Sequence, residues 1–76
     1  MDDERRELLS RLFAATTELI ETAHEAAVSG QSGLLTADGY ALAGRRLQAA
    51  ARDATALAEA AIIVARAAPV NGRESA

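Results

Sequence analysis

The stretch YALAGRRLQAAARDATALAEAAIIVARAA, residues 40–68, decides the fold. Within it Tyr40, Ala43, Leu47, Ala50, Ala54, Leu57, Ala61, Val64 and Ala68 recur at alternating three- and four-residue steps. Residues so spaced share one face of an α-helix. Leu9, Leu12, Thr16, Leu19, Ala23 and Ala26 follow the same rhythm nearer the N-terminus. Between the two stretches lies Gly30-Gln31-Ser32-Gly33, a turn by composition. The pattern predicts an all-α antiparallel helical hairpin, because a short connection makes consecutive helices antiparallel neighbours.

The boundaries follow from local signals. Helix 1 is expected over residues 3–29. Asp2, Asp3 and Glu4 put negative charge where a helix N-terminus is partially positive. Gly30 is placed to take the left-handed conformation that ends many helices. Helix 2 is expected over residues 37–68. Thr36 is its cap, accepting a backbone N–H bond, and Asp38 sits in the first turn. Leu35 and Tyr40 have the spacing of a hydrophobic staple. Gly39 costs up to ~1 kcal/mol relative to alanine inside a helix, and is expected to permit a close approach to the end of helix 1. Pro69 stops helix 2, since it lacks an N–H and disfavours helix at the residue before it. Residues 1–69 thus form one domain, and 70–76 a short polar tail expected to be disordered.

Seventy-six residues make one small domain, and small domains bury a modest share of their surface. The usual staples are missing. There is no cysteine, hence no disulfide or thiolate metal site. Phe13 and Tyr40 are the only aromatic residues. Association is the remaining route to a stable core, and the expected assembly is a homodimeric four-helix bundle. Its core would hold Leu9, Leu12, Phe13, Leu19, Ile20, Tyr40, Leu47, Ala54, Leu57, Ala61 and Val64. Ala43, Gly44, Ala50, Ala51, Ala54, Ala58, Ala61 and Ala65 are expected on the inner face of helix 2, allowing short interaxial distances.

Helix 2 after Thr55 is apolar nearly all round, with Glu59 and Arg66 as its main polar residues. A helix of that kind is normally buried. Ala56, Ala60, Ile62 and Ile63 are therefore a candidate surface for a second protein, itself helical.

The formal net charge is −3, which opposes an anionic partner such as nucleic acid or a charged membrane. Every basic residue is arginine, and the heavy alanine use beside it fits a GC-rich genome. Arg45, Arg46 and Arg52 are the candidate nucleic-acid face. Glu59 interrupts their stripe, and no aromatic residue stands by to stack on bases. Ion pairing of Arg45 and Arg46 with Glu18, Glu21 and Glu25 of helix 1 accounts for these arginines without a ligand. The first residues lack the basic and apolar runs of a secretory signal, and the Ala54–Ala68 stretch is shorter than the ~20 residues of a membrane span. The chain is expected in the cytoplasm.

Chemistry has little to work with. Glu21-Thr22-Ala23-His24 has the Glu-x-x-His spacing of di-iron helical bundles, but the pair falls on the polar face with no carboxylate expected opposite. His24-Glu25 resembles the histidine-acid pair of sensor-kinase dimerisation domains, which are also hairpins that dimerise into four-helix bundles. In that family a basic residue and a proline follow, and the helix continues. Here Ala26-Ala27-Val28-Ser29-Gly30 follows and the helix ends, so the likeness is one of architecture. No Walker loop exists without lysine, and no nucleophile-histidine-acid set assembles. The expectation is a non-enzymatic interaction or adaptor protein, with no cofactor or metal. A dimeric RNA- or DNA-binding regulator is the alternative, and a metal or phosphotransfer module on His24 a third.

Overall fold

The computed structural model describes residues 1–67, which form two helices and the turn joining them. Helix α1 spans Asp3–Gly30 and α2 spans Ala37–Arg66. They pack against each other as an antiparallel hairpin.

Each helix starts where a short polar side chain satisfies a free backbone N–H. The Asp2 carboxylate accepts from the Arg5 N–H at 2.7 Å, and the Thr36 hydroxyl accepts from the Gly39 N–H at 3.1 Å. At the other end of α1 the helix runs one residue further than expected and includes Gly30. Gln31 closes it in a right-handed conformation, its N–H donating to the Val28 carbonyl at 3.0 Å. The left-handed residue is Gly33, with φ of +75°, and not Gly30. The reversal of the chain is thus made inside the turn, after the helix has ended. Helix α2 stops at Arg66, short of the expected Ala68, and Ala67 is already extended. A helix carried through Ala68 would have to stay helical at the residue before Pro69, which proline sterics disfavour. Ala68 and the tail 70–76 lie outside the described residues.

One finer expectation at the start of α2 is corrected. A Cβ at Gly39 would stand 3.2 Å from the Leu35 Cβ and 3.4 Å from the Thr36 hydroxyl. The close approach is therefore to the helix's own capping turn, not to α1. Leu35 lies against Gly39, and Tyr40 lines the groove on the other side of the seam.

The seam between the helices is thin. Among the described residues Ala26, Ala43, Ala50 and Ala61 are buried, and no large side chain is fully enclosed. Ala26 and Ala43 line both grooves flanking the seam, so they meet. Equal strides away from them set Leu19 opposite Ala50, Leu12 opposite Leu57 and Arg5 opposite Val64, each buried or half-buried. Leu9, Ala54 and Ala60 are half-buried alongside. Thr16 holds a seam position because its hydroxyl donates to the Leu12 carbonyl at 2.8 Å, leaving only its methyl to be packed. The chain is one layer thick, about 15 × 11 Å in cross-section. A stable domain normally needs two packed layers.

Candidate interaction surface

Laying the sequence on the hairpin sorts its side chains into two unlike flanks. One flank contains Ala27 of α1 with Tyr40, Gly44 and Leu47 of α2, which line a common groove. Seven-residue steps along α1 extend this lane from Ala27 through Ile20 to Phe13. The same steps along α2 carry it from Gly44 through Ala51 and Ala58 to Ala65, with Ile62 at its outer edge. Phe13 is 60 % exposed, Ile20 56 % and Ile62 55 %. Tyr40 and Leu47 are also open to solvent. Between Leu9 and Ala27 of α1, and between Tyr40 and Ala65 of α2, no Asp, Glu or Arg falls on this flank. His24 stands at its rim, exposed.

The opposite flank is mixed. Thr22, Glu25 and Ser29 of α1 line its groove with Leu35, Leu42 and Arg46 of α2. Seven-residue steps from Leu42 lead through Ala49 and Ala56 to Ile63, which is 69 % exposed. Steps from Arg46 lead through Asp53 to Ala60, and steps from Glu25 lead back to Glu18 and Arg11. This flank therefore alternates charged and apolar residues.

Several sequence expectations are redistributed by this geometry. Of the expected bundle core, Ala61 is buried, and Leu9, Leu12, Leu19, Ala54, Leu57 and Val64 are half-buried inside one protomer. Phe13, Ile20, Tyr40 and Leu47 are exposed there, all on the uncharged flank. The small residues expected together on the inner face divide likewise. Ala43, Ala50, Ala54 and Ala61 face α1, whereas Gly44, Ala51, Ala58 and Ala65 are exposed beside them. The reason is that two helices share only a narrow strip, while the heptad pattern marks a stripe wide enough for more neighbours. The suggested partner patch also comes apart. Ala60 is half-buried in the seam, Ile62 edges the uncharged flank, and Ala56 and Ile63 lie on the mixed one.

Charges take the remaining positions. Arg45, Arg52 and Arg66 lie along the outer back of α2 in one lane with Glu59 and Asp38, and Arg46 points into the mixed groove. The expected ion pairs of Arg45 and Arg46 with Glu18, Glu21 and Glu25 are absent. Among the described residues the ion pair formed is Arg11 with Glu7, at 2.7 Å, within one turn of α1. Both side chains are well exposed, so it contributes little. Glu25 and Arg46 border one groove without meeting, because the alanine seam sets the helices' positions and the long side chains are left free in water. His24 and Glu21 are exposed. Among the described residues no three His, Asp or Glu side chains converge as a metal site would require. No described helix is long and apolar enough to cross a membrane.

Comparison with protein families, with curated proteins and with solved structures finds no match for this chain.

Proposed function

We propose that this chain is a small non-enzymatic interaction protein that acts as a homodimeric four-helix bundle. One observation carries the reading. Among the described residues a protomer encloses four alanines, yet it leaves Phe13, Ile20, Tyr40, Leu47 and Ile62 exposed on a flank that carries no Asp, Glu or Arg between Leu9 and Ala27 or between Tyr40 and Ala65. Apolar side chains gain roughly 25 cal/mol for each Å² removed from water, so such a flank strongly favours being covered. A continuous exposed apolar face of this kind marks an interaction site. Two hairpins laid flank to flank give the second layer that one hairpin lacks. The bundle leaves the Leu42, Ala49, Ala56 and Ile63 lane outside, where a helical partner protein would dock.

Light scattering coupled to size exclusion, over a range of loading concentrations, tests this reading. The expected mass is twice the 7.9 kDa of the chain. A fully helical monomer at every concentration would refute it.

A further inference from the structure

The mixed flank has two unlike edges, each a series of seven-residue steps. On α1 the outer edge is Glu4, Arg11, Glu18 and Glu25, all exposed. On α2 the outer edge is Leu42, Ala49, Ala56 and Ile63, also exposed. Between the edges lies a groove that Thr22 and Arg46 line near the turn. Steps of seven from Thr22 reach Ala15, and steps from Arg46 reach Asp53 and then Ala60. One side of the groove is therefore acidic and the other apolar, over the same length. We propose that this groove seats a basic amphipathic helix of another protein, its cations along α1 and its apolar residues along α2.

This inference rests on the reading above, in which the dimer leaves the mixed flank outside, and it names the chemistry of the partner. Charge complementarity selects that chemistry. Glu4, Glu18, Glu25 and Asp53 put four exposed carboxylates on the flank. Two arginines share it, and Arg11 is already engaged by Glu7 at 2.7 Å. An arriving cation thus finds carboxylates in excess. Those carboxylates alone would attract any cation, but the apolar edge adds a seat for a helix with apolar residues at three- and four-residue spacing. Ala15, Thr22 and Ala60 are small and half-buried or exposed in the groove, which lets such a helix settle close. The acidic edge from Glu4 to Glu25 is ~32 Å long at ~1.5 Å per residue, enough for about three heptads of partner helix.

Other occupants fit the two edges poorly. A second copy with like helices facing would set Glu18 and Glu25 against carboxylates of the same kind. With unlike helices facing, it would lay them on Leu42 and Ala49, where a carboxylate loses water without gaining a partner. A nucleic acid or an anionic membrane brings phosphates towards the acidic edge and is repelled. A basic helix meets both edges at once, and its cations also separate it from the uncharged flank, which offers them no carboxylate between Leu9 and Ala27 or between Tyr40 and Ala65.

The probe is a fluorescein-labelled synthetic peptide of three heptads, with leucine and alanine on one face and arginine beside it. Its control carries glutamate for each arginine. Fluorescence anisotropy should show the basic peptide binding the protein at least ~10-fold more tightly than the control. Glu18→Arg exchanges one exposed ion pair for a repulsion and should weaken the basic peptide roughly fivefold. Glu59→Arg makes the same change of net charge on the outer back of α2 and should leave binding unaltered. Circular dichroism checks that both variants keep their helices. Equal affinity for the two peptides, or equal losses from Glu18→Arg and Glu59→Arg, overturns the groove and leaves the dimer standing. A monomer mass by light scattering, with the peptide and Glu18 effects intact, overturns the dimer and leaves the groove.

Discussion

At the residue scale the turn glycines separate two roles that the sequence leaves mixed. Gly30 is helical with open space where a Cβ would stand, whereas Gly33 is left-handed. Alanine should therefore act oppositely at the two positions. Gly30→Ala gains helix propensity and should stabilise the protein by up to ~1 kcal/mol. Gly33→Ala forces an L side chain into the left-handed region and should cost ~1–2 kcal/mol. Thermal unfolding of the two variants beside the parent checks both signs, and an equal effect would return the left-handed role to Gly30. Thr36→Ala removes the hydroxyl that receives the Gly39 N–H and should cost ~1 kcal/mol in the same assay. The Thr36 cap was legible from its neighbours, since threonine before Ala-Asp-Gly is a start signal that local chemistry alone enforces. Which glycine turns left-handed was not legible. That choice depends on how far α1 runs before the seam lets go, and so on contacts more distant than the glycine itself.

At the element scale the two helices were readable because three- and four-residue spacing is a property of the helix, independent of what it packs on. The width of the contact was not. A heptad stripe looks the same whether one neighbour covers it or three, so the sequence could not divide Ala50 from Ala51, or Leu12 from Phe13. In the hairpin Ala50 is 4 % exposed while Ala51 is open to solvent. Ala50→Leu should therefore wedge the helices apart and cost ~1–3 kcal/mol. Ala51→Leu should leave an isolated protomer unaffected and disturb only an assembly built on the uncharged flank. Denaturant midpoints measured for both variants, at low and high protein concentration, distinguish these effects. Leu57→Asp puts a carboxylate in the seam opposite Leu12, and circular dichroism should show marked loss of helix. Unchanged helicity and stability in that variant would refute the seam.

At the scale of the whole molecule, one hairpin sets an interaction face and a solvated face back to back on the same short helices. The composition could show that the chain lacks a core of its own, but the sides became distinct only when each lane of α1 met a particular lane of α2. Ile62 and Ile63, adjacent in sequence, end on opposite flanks. That separation permits a test in which the same change of residue type has opposite consequences. Ile20→Glu places a carboxylate in the middle of the uncharged flank, where a partner copy offers no arginine to receive it. It should convert dimer to monomer in the micromolar range by light scattering. It should also abolish the rise of melting temperature with concentration that mass action gives an associating protein. Ile63→Glu removes a side chain of the same size to the same charge, but on the flank that already carries Glu25, Arg46 and Asp53. It should leave both mass and concentration dependence as they are. If instead Ile63→Glu dissociates the protein and Ile20→Glu does not, self-association uses the mixed flank. The uncharged flank of Phe13, Ile20, Tyr40 and Leu47 would then have to be covered by a different helical protein.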